Sequence, residues 1–357
     1  VTVTIQRLRI KEFLQASKGK LILDVRSPGE YGHAHIPSAT SFPLFTDEER
    51  KIVGTTYKQK SREDAIRTGL DFFSPKMKKM VEDVEEMLGR PDSTSAVKLE
   101  VFIYCWRGGM RSAAIAWLLD LYGFQVYTLA RGYKAFRNHV LETFEQPVEL
   151  KVLGGYTGSG KTEVLNELAK HGEIVIDLEK LASHKGSAFG SFKMPPQPSQ
   201  EMFENLLSVE LNEKVLSPGL STGTLWLEDE SQRIGDLNLP NTLWEVMRKS
   251  PIVFLEIPFE ERLNHIVEEY GECEKEKLID STRRISQRLG GLDAKITMEL
   301  LEEGNVREAF SILLRYYDKR YLKGLHNREN ISTLLTKIHC DAVTPKNALQ
   351  LTKPQPV

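Results

Sequence analysis

A chain of 357 residues, 40% of them hydrophobic, is too long for one ordinary domain and apolar enough to bury real cores, so two domains, or two plus a helical extension, are expected. A formal net charge of −2 excludes a globally basic nucleic-acid coat, and any RNA partner must be met by a local patch. Cys105, Cys273 and Cys340 are too few and too widely spaced for a disulfide framework or a CxxC metal site, and they point to a reducing, cytoplasmic setting.

No apolar run reaches membrane-spanning length, and the opening residues Val1 to Arg7 carry no signal-peptide pattern, so no membrane partner is expected. Alternation predicts a strand over Val1 to Leu8, a short helix over Ile10 to Ala16, and a more buried strand over Lys20 to Val25. That strand ends in Asp24-Val25-Arg26-Ser27-Pro28. Glu30-Tyr31 and His35-Ile36-Pro37-Ser38-Ala39 then lead to a short strand near Ser41 to Leu44. From Asp47 to Leu88 runs a charged insertion that reads as a solvated helical cover, with basic and aromatic residues (Tyr57-Lys58-Gln59-Lys60, Phe72-Phe73-Ser74-Pro75-Lys76) that leave an RNA contact open.

The run Leu99 to Tyr104 predicts a strand that delivers Cys105 to a bend, Trp106-Arg107-Gly108-Gly109-Met110-Arg111-Ser112, followed at once by the apolar helical pattern from Ala113 to Leu119. A helix N-terminus favours anions, so a thiolate or a bound oxyanion is stabilised there. Arg107 and Arg111 add positive charge, and Gly108 and Gly109 let successive amides converge on the sulfur or its cargo. Two glycines and two arginines around a core cysteine have no packing rationale, which makes Cys105 a candidate nucleophile. A further strand over Gln125 to Leu129 completes a parallel α/β sheet for residues 1–145.

These motifs together resemble a rhodanese domain. The resemblance implies that Cys105 carries a chalcogen atom as a persulfide or selenosulfide; Asp24, Arg26 and His35 read, from their own residue types, as turn and loop scaffolding rather than chemistry. The loop departs from the usual sulfurtransferase pattern: five residues separate Cys105 from Arg111, one more than usual, a spacing shared with cysteine phosphatases.

Gln146-Pro147 reads as a boundary after a helical stretch from Tyr133 to Phe144. A strand over Glu149 to Leu153 then feeds Gly155-Tyr156-Thr157-Gly158-Ser159-Gly160-Lys161-Thr162, a GxxxxGK[ST] phosphate loop, with an apolar helical pattern behind it. Amides of Gly155, Gly158, Ser159 and Gly160 are expected to cradle linked phosphates, Lys161 to neutralise their charge, and Thr162 to reach Mg²⁺. Glu173 to Ile176 reads as a strand, and the helix from Glu201 to Leu216 follows a proline-rich linker. The run Thr224 to Leu227 ends in Glu228-Asp229-Glu230-Ser231, and Asp229 and Glu230 are the candidate metal acids. Ile252 to Ile257 supplies another strand, closing a P-loop NTPase-like α/β domain over 146–258.

The rest, 259–357, reads as a helical region packed on the P-loop domain: Phe259 to Tyr270, Glu276 to Leu289, Ala294 to Glu303 and Val306 to Lys323, with breaks at Gly290-Gly291 and Gly304. Arg283, Arg284, Arg288, Arg315, Lys319, Arg320, Lys323 and Arg328, interleaved with Tyr316, Tyr317 and Tyr321, match either basic solvent faces or a track for an RNA backbone.

The order of a rhodanese-like cysteine loop, a phosphate loop, His184-Lys185-Gly186-Ser187, Gln197-Pro198-Ser199-Gln200 and Glu228-Asp229-Glu230-Ser231 resembles the tRNA 2-selenouridine synthase family along essentially the whole chain. That resemblance implies a transferase acting on wobble 2-thiouridine in the anticodon arm of tRNA. Geranyl diphosphate S-geranylates the base, and selenophosphate then supplies selenium. Two other readings compete from the residues alone. One is a Cys-x5-Arg phosphatase fused to an ATP-dependent kinase-like domain, and the other an RNA-binding adaptor. The sequence assigns no oligomeric state.

Overall fold

In the computed structural model, residues 5–91, 98–216 and 223–351 are described here. The chain divides into two units, Val1–Glu142 and Thr143–Val357.

The first unit is a five-stranded parallel sheet with helices around it. Its strands are β1 (Gln6–Leu8), β2 (Leu21–Asp24), β3 (Thr40–Ser41), β4 (Glu100–Tyr104) and β5 (Gln125–Leu129), in the order β1-β5-β4-β2-β3. Strand β4 lies at the centre, and Val101, Phe102, Ile103 and Tyr104 are wholly buried, as a strand covered on both faces requires. The part of the first predicted strand over Val1 to Thr4 lies outside the described residues. The predicted strand near Ser41 to Leu44 shortens to Thr40–Ser41. The charged insertion folds as three helices, Asp47–Gln59, Arg62–Phe73 and Met77–Leu88. The first begins with a capping box, the Glu49 amide donating to Thr46 Oγ1 at 3.2 Å and the Thr46 amide to Glu49 Oε2 at 2.9 Å. The insertion is a cover, since Phe73, Met80, Val81 and Val84 turn inward to the core of this unit.

Beneath the C-terminal ends of β2 and β4, Arg26 is almost fully buried. Its Nη2 lies 2.5 Å from Asp24 Oδ2 and donates to the Ala34 carbonyl at 2.7 Å, while Tyr104 Oη donates to Asp24 Oδ2 at 2.7 Å. The guanidinium sits 3.9 Å from the centre of the Tyr133 ring. These side chains fix the loops that follow the two strands.

The second unit is also built on a parallel sheet of five strands. These are β6 (Leu150–Gly155), β7 (Ile174–Val175), β8 (Leu225–Glu228), β11 (Ile252–Glu256) and β12 (Leu335–His339), in the order β12-β11-β6-β8-β7. Strands β9 (Arg233–Ile234) and β10 (Leu237–Asn238) form a separate antiparallel hairpin turned by Gly235 at φ +61°. The helix Lys161–Lys170 lays Val164, Leu165 and Leu168 on the sheet. Helices Phe259–Tyr270, Lys275–Leu289, Gly291–Glu303 and Val306–His326 share a second core of Ile266, Tyr270, Ile285, Phe310, Leu313 and Leu314. Gly290 and Gly304 break the run at φ +103° and +85°, as their positions predict.

Strand β12 is absent from the sequence reading. It is an edge strand, in which only Ile338 is buried while Thr336, Lys337 and His339 face outward, so no apolar periodicity marks it. No helix among the described residues is long and apolar enough to cross a membrane.

Removing one member of a buried ion pair leaves the other uncompensated. Arg26→Ala is therefore expected to destabilise the first unit by about 3–5 kcal/mol. Arg67→Ala, which breaks an exposed pair with Asp64, should cost less than about 1 kcal/mol. Urea unfolding of the full chain measures both, and equal small losses would show that the buried pair contributes nothing.

Candidate functional site

Each unit carries an anion-ready loop at the C-terminal end of a central strand. In the first, β4 ends at Tyr104, and the chain turns through Trp106 to Gly109 before the helix Met110–Tyr122. Cys105 is buried, and its Sγ accepts the Gly109 amide at 3.3 Å and lies 3.2 Å from Ser112 Oγ. The sulfur is thus held where helix-start amides favour negative charge.

Of the two loop glycines, only Gly108 needs the left-handed region (φ +62°), and a Cβ there would sit 2.6 Å from the Leu129 carbonyl oxygen. Gly132, not among the predicted site residues, is as constrained: at φ +58°, a Cβ would fall 2.1 Å from the Cys105 carbonyl oxygen. The loop is clasped there by the Tyr133 amide, which donates to that same oxygen at 2.8 Å.

Arg107 is exposed. Arg111 does not turn onto the sulfur but forks onto Glu30, Nη1 to Oε2 at 2.6 Å and Nη2 to Oε1 at 3.3 Å. Burial pushes the Glu30 carboxyl up, but Arg111, the Ser27 amide and Arg50 outweigh this and hold it at about 2.

In the second unit, β6 ends at Gly155, Tyr156 to Gly160 form the phosphate loop, and the helix starts at Lys161. Gly158 and Gly160 take φ +79° and +66°. A Cβ on Gly158 would meet Ile266 Cγ1 at 2.7 Å, and one on Gly160 would meet Val343 Cγ1 at 2.7 Å, so both backing surfaces exclude side chains. Lys161 Nζ rests on the Gly155 carbonyl at 3.4 Å, long enough to yield to an incoming anion. Ser159 Oγ is buried without a hydrogen-bond partner among the described residues.

Below the loop, Glu179, Glu228 and Glu230 bring carboxylate oxygens within 4.8 Å of one another, and Thr162 Oγ1 donates to Glu179 Oε2 at 3.3 Å. Glu228 is 1% exposed, and its Oε1 has no partner among the described residues. Burial and the neighbouring acids push all three carboxyls up, Glu179 to about 8 and Glu230 to about 7, with Lys161 opposing the shift. Three crowded carboxylates and a hydroxyl form a hard oxygen donor set that fits Mg²⁺.

Of the two predicted metal acids, Glu230 joins this cluster and Asp229 does not. Alternate residues of an extended strand end point to opposite sides. Glu228 and Glu230 therefore share one side, while Asp229 receives Tyr321 Oη at 2.6 Å and pairs with buried Arg328. Tyr321 Oη also accepts the Gly155 amide at 3.3 Å, tying the long helix to the base of the loop. Glu228 belongs to the same acidic run at the end of β8. Glu179, two residues beyond the Asp177 that follows β7, is absent from the sequence reading, and its signal is an acid just past a strand end facing the loop.

The remaining motifs support the same place. Lys185 pairs with Glu269, and a Cβ on Gly186 would strike Glu230 Oε2 at 2.4 Å. Gln197 clamps the hairpin, donating to the Ala182 and Ile234 carbonyls at 2.9 and 3.1 Å and accepting the Asp236 amide at 2.8 Å. The phosphate loop, the acids, residues 183–189 and the helical region together line one cleft of about 1480 Å³.

Known protein families divide the chain along the same lines. The model of the tRNA 2-selenouridine synthase AAA domain matches residues 148–344, and that of the rhodanese-like domain matches residues 9–139. A tRNA 2-selenouridine synthase from Cupriavidus pinatubonensis is 33% identical over 338 residues, covering 85% of this chain and 88% of the relative. One from a Sulfurovum species is 35% identical over 332 residues, covering 84% and 87%. Among solved structures, the N-terminal domain of a putative ATP/GTP binding protein from Clostridium difficile is 39% identical, covering 38% of this chain and 99% of that one, with a TM-score of 0.34. The match over most of both chains shows that this chain belongs to the tRNA 2-selenouridine synthase family.

Proposed function

We propose that the chain is a transferase that converts wobble 2-thiouridine in tRNA to 2-selenouridine by way of an S-geranylated intermediate, in the cytoplasm. The observation that carries this reading is the cleft of the second unit, where a phosphate loop faces three crowded carboxylates, in a chain that also holds a thiol beside a helix-start amide. The loop amides and Lys161 suit the diphosphate of geranyl diphosphate. As the allylic C–O bond breaks, negative charge grows on the departing diphosphate, and Lys161 stabilises it. The tRNA sulfur forms the new S–C bond and thereby becomes a leaving group. Selenium from selenophosphate, received at the Cys105 loop, then bonds to C2 of the base. The C2–S bond breaks and geranyl thiol departs, and water takes the phosphoryl group, breaking the P–Se bond and releasing phosphate.

Thr162, Glu179, Glu228 and Glu230 would hold Mg²⁺, which when bound supplies positive charge beside the diphosphate. The fork of Arg111 on Glu30 supports this reading over a Cys-x5-Arg phosphatase, which needs that guanidinium on its substrate.

Mass spectrometry of the wobble nucleoside, after incubation of 2-thiolated tRNA with each donor, tests the two steps separately. Lys161→Ala is expected to lower geranylation about 10²–10³-fold. Cys105→Ala should leave geranylation intact and abolish selenation from selenophosphate. Full geranylation by the first variant, or full selenation by the second, would contradict the assignment.

The acids give a readout independent of activity. Their folded-state pKa values are raised, so the stability they contribute is present below the ordinary carboxylate range and is lost as pH rises through about 7 and about 8. The metal-free chain should lose thermal stability over that window, and added Mg²⁺ should restore it. A flat profile without metal, or no response to Mg²⁺ at pH 8, would contradict the metal assignment.

A further inference from the structure

At the mouth of the phosphate-loop cleft stand three arginines with no acid to meet them. Arg284 and Arg288 are one helical turn apart on the helix Lys275–Leu289, and Arg320 comes from the helix Val306–His326. All three are exposed and line the cleft, and none has an ion-pair partner among the described residues. The acid one turn before Arg284 is Asp280, and it is taken by Arg283, which does not line the cleft. Arg320 Nη1 instead donates to Tyr316 Oη at 3.0 Å, which aims it without neutralising it. Like charges at i and i+4 repel, so the Arg284 and Arg288 pair costs stability unless an anion lies across it.

The anion at the loop is already provided for by amides and Lys161, so the three arginines are additional to it. The cleft, at about 1480 Å³, also exceeds the roughly 300–1000 Å³ of an ordinary small-molecule pocket. Three neighbouring residues that line the same cleft are already committed within the fold. Arg328 and Tyr321 are committed to Asp229 inside the fold, and Tyr317 Oη accepts the Ala188 amide at 3.3 Å.

We propose that Arg284, Arg288 and Arg320 form the RNA-binding rim of this cleft, contacting backbone phosphates of a single-stranded tRNA segment so that its base reaches the phosphate loop. This rests on the reading that the chain acts on tRNA.

The test is the salt dependence of binding of 2-thiolated tRNA to the full-length chain. Removing one arginine from a backbone phosphate reduces the slope of log affinity against log salt by about 1. Arg284→Ala/Arg288→Ala should therefore flatten the slope by about 2 and weaken binding, with Mg²⁺–pyrophosphate affinity unchanged. Arg320→Ala should remove about 1. Arg283→Ala, on the same helix but off the cleft, should change nothing. If wild type binds tRNA and the double variant keeps its slope, or loses pyrophosphate instead, or if Arg283→Ala flattens the slope equally, the rim is wrong and the tRNA reading stands. If wild type shows no tRNA binding at all, that reading falls and the rim with it.

Discussion

The second unit depends on an electrostatic imbalance: three carboxyl groups share a space too small and too dry for three negative charges. Glu179, Glu228 and Glu230 meet below the phosphate loop, and Lys161 is the cation that opposes their crowding. Without ligands, the acids are driven towards their protonated forms and Lys161 rests weakly on a carbonyl. A diphosphate alone would meet like charge, and a divalent cation alone would meet a donor set that lacks its anion. On the proposed reading the two together would complete the site, a loop shaped for linked phosphates built over acids.

The sulfur site follows a different logic. Cys105 Sγ is held by an amide and a hydroxyl, in a loop with a backbone clasp that depends on Gly108 and Gly132. The loop arginine Arg111 is spent on Glu30. A sulfur held by an amide and a hydroxyl suits a polarisable chalcogen, whereas the phosphate loop offers an ammonium group to hard oxygen. Each of the two loops is built on its own parallel sheet.

Much of this is legible in the residues. Gln125–Leu129 and Phe259–Tyr270 fold with the bounds their apolar spacing indicates, because a strand buried on both faces and a helix beginning after Pro258 leave clear patterns. The phosphate loop is legible because strand, glycines and helix have to coincide. Strand β12 is not, since an edge strand with one buried side chain writes no periodicity. Among the acids, choosing Asp229 neglects the two-residue alternation at a strand end, which sends it to Tyr321 and Arg328. Glu179 lies about fifty residues before β8 in the chain and joins the cluster only through the fold. Gly132 is invisible for the same reason: the carbonyl it must clear belongs to Cys105.

The central claim is that metal and diphosphate complete one site jointly, and calorimetric titration of inorganic pyrophosphate into the full-length chain tests it most directly. Binding should be at least roughly tenfold tighter with Mg²⁺ than with a chelator present, and Glu228→Gln should shrink that difference. Equal pyrophosphate affinity with and without the cation would contradict the account.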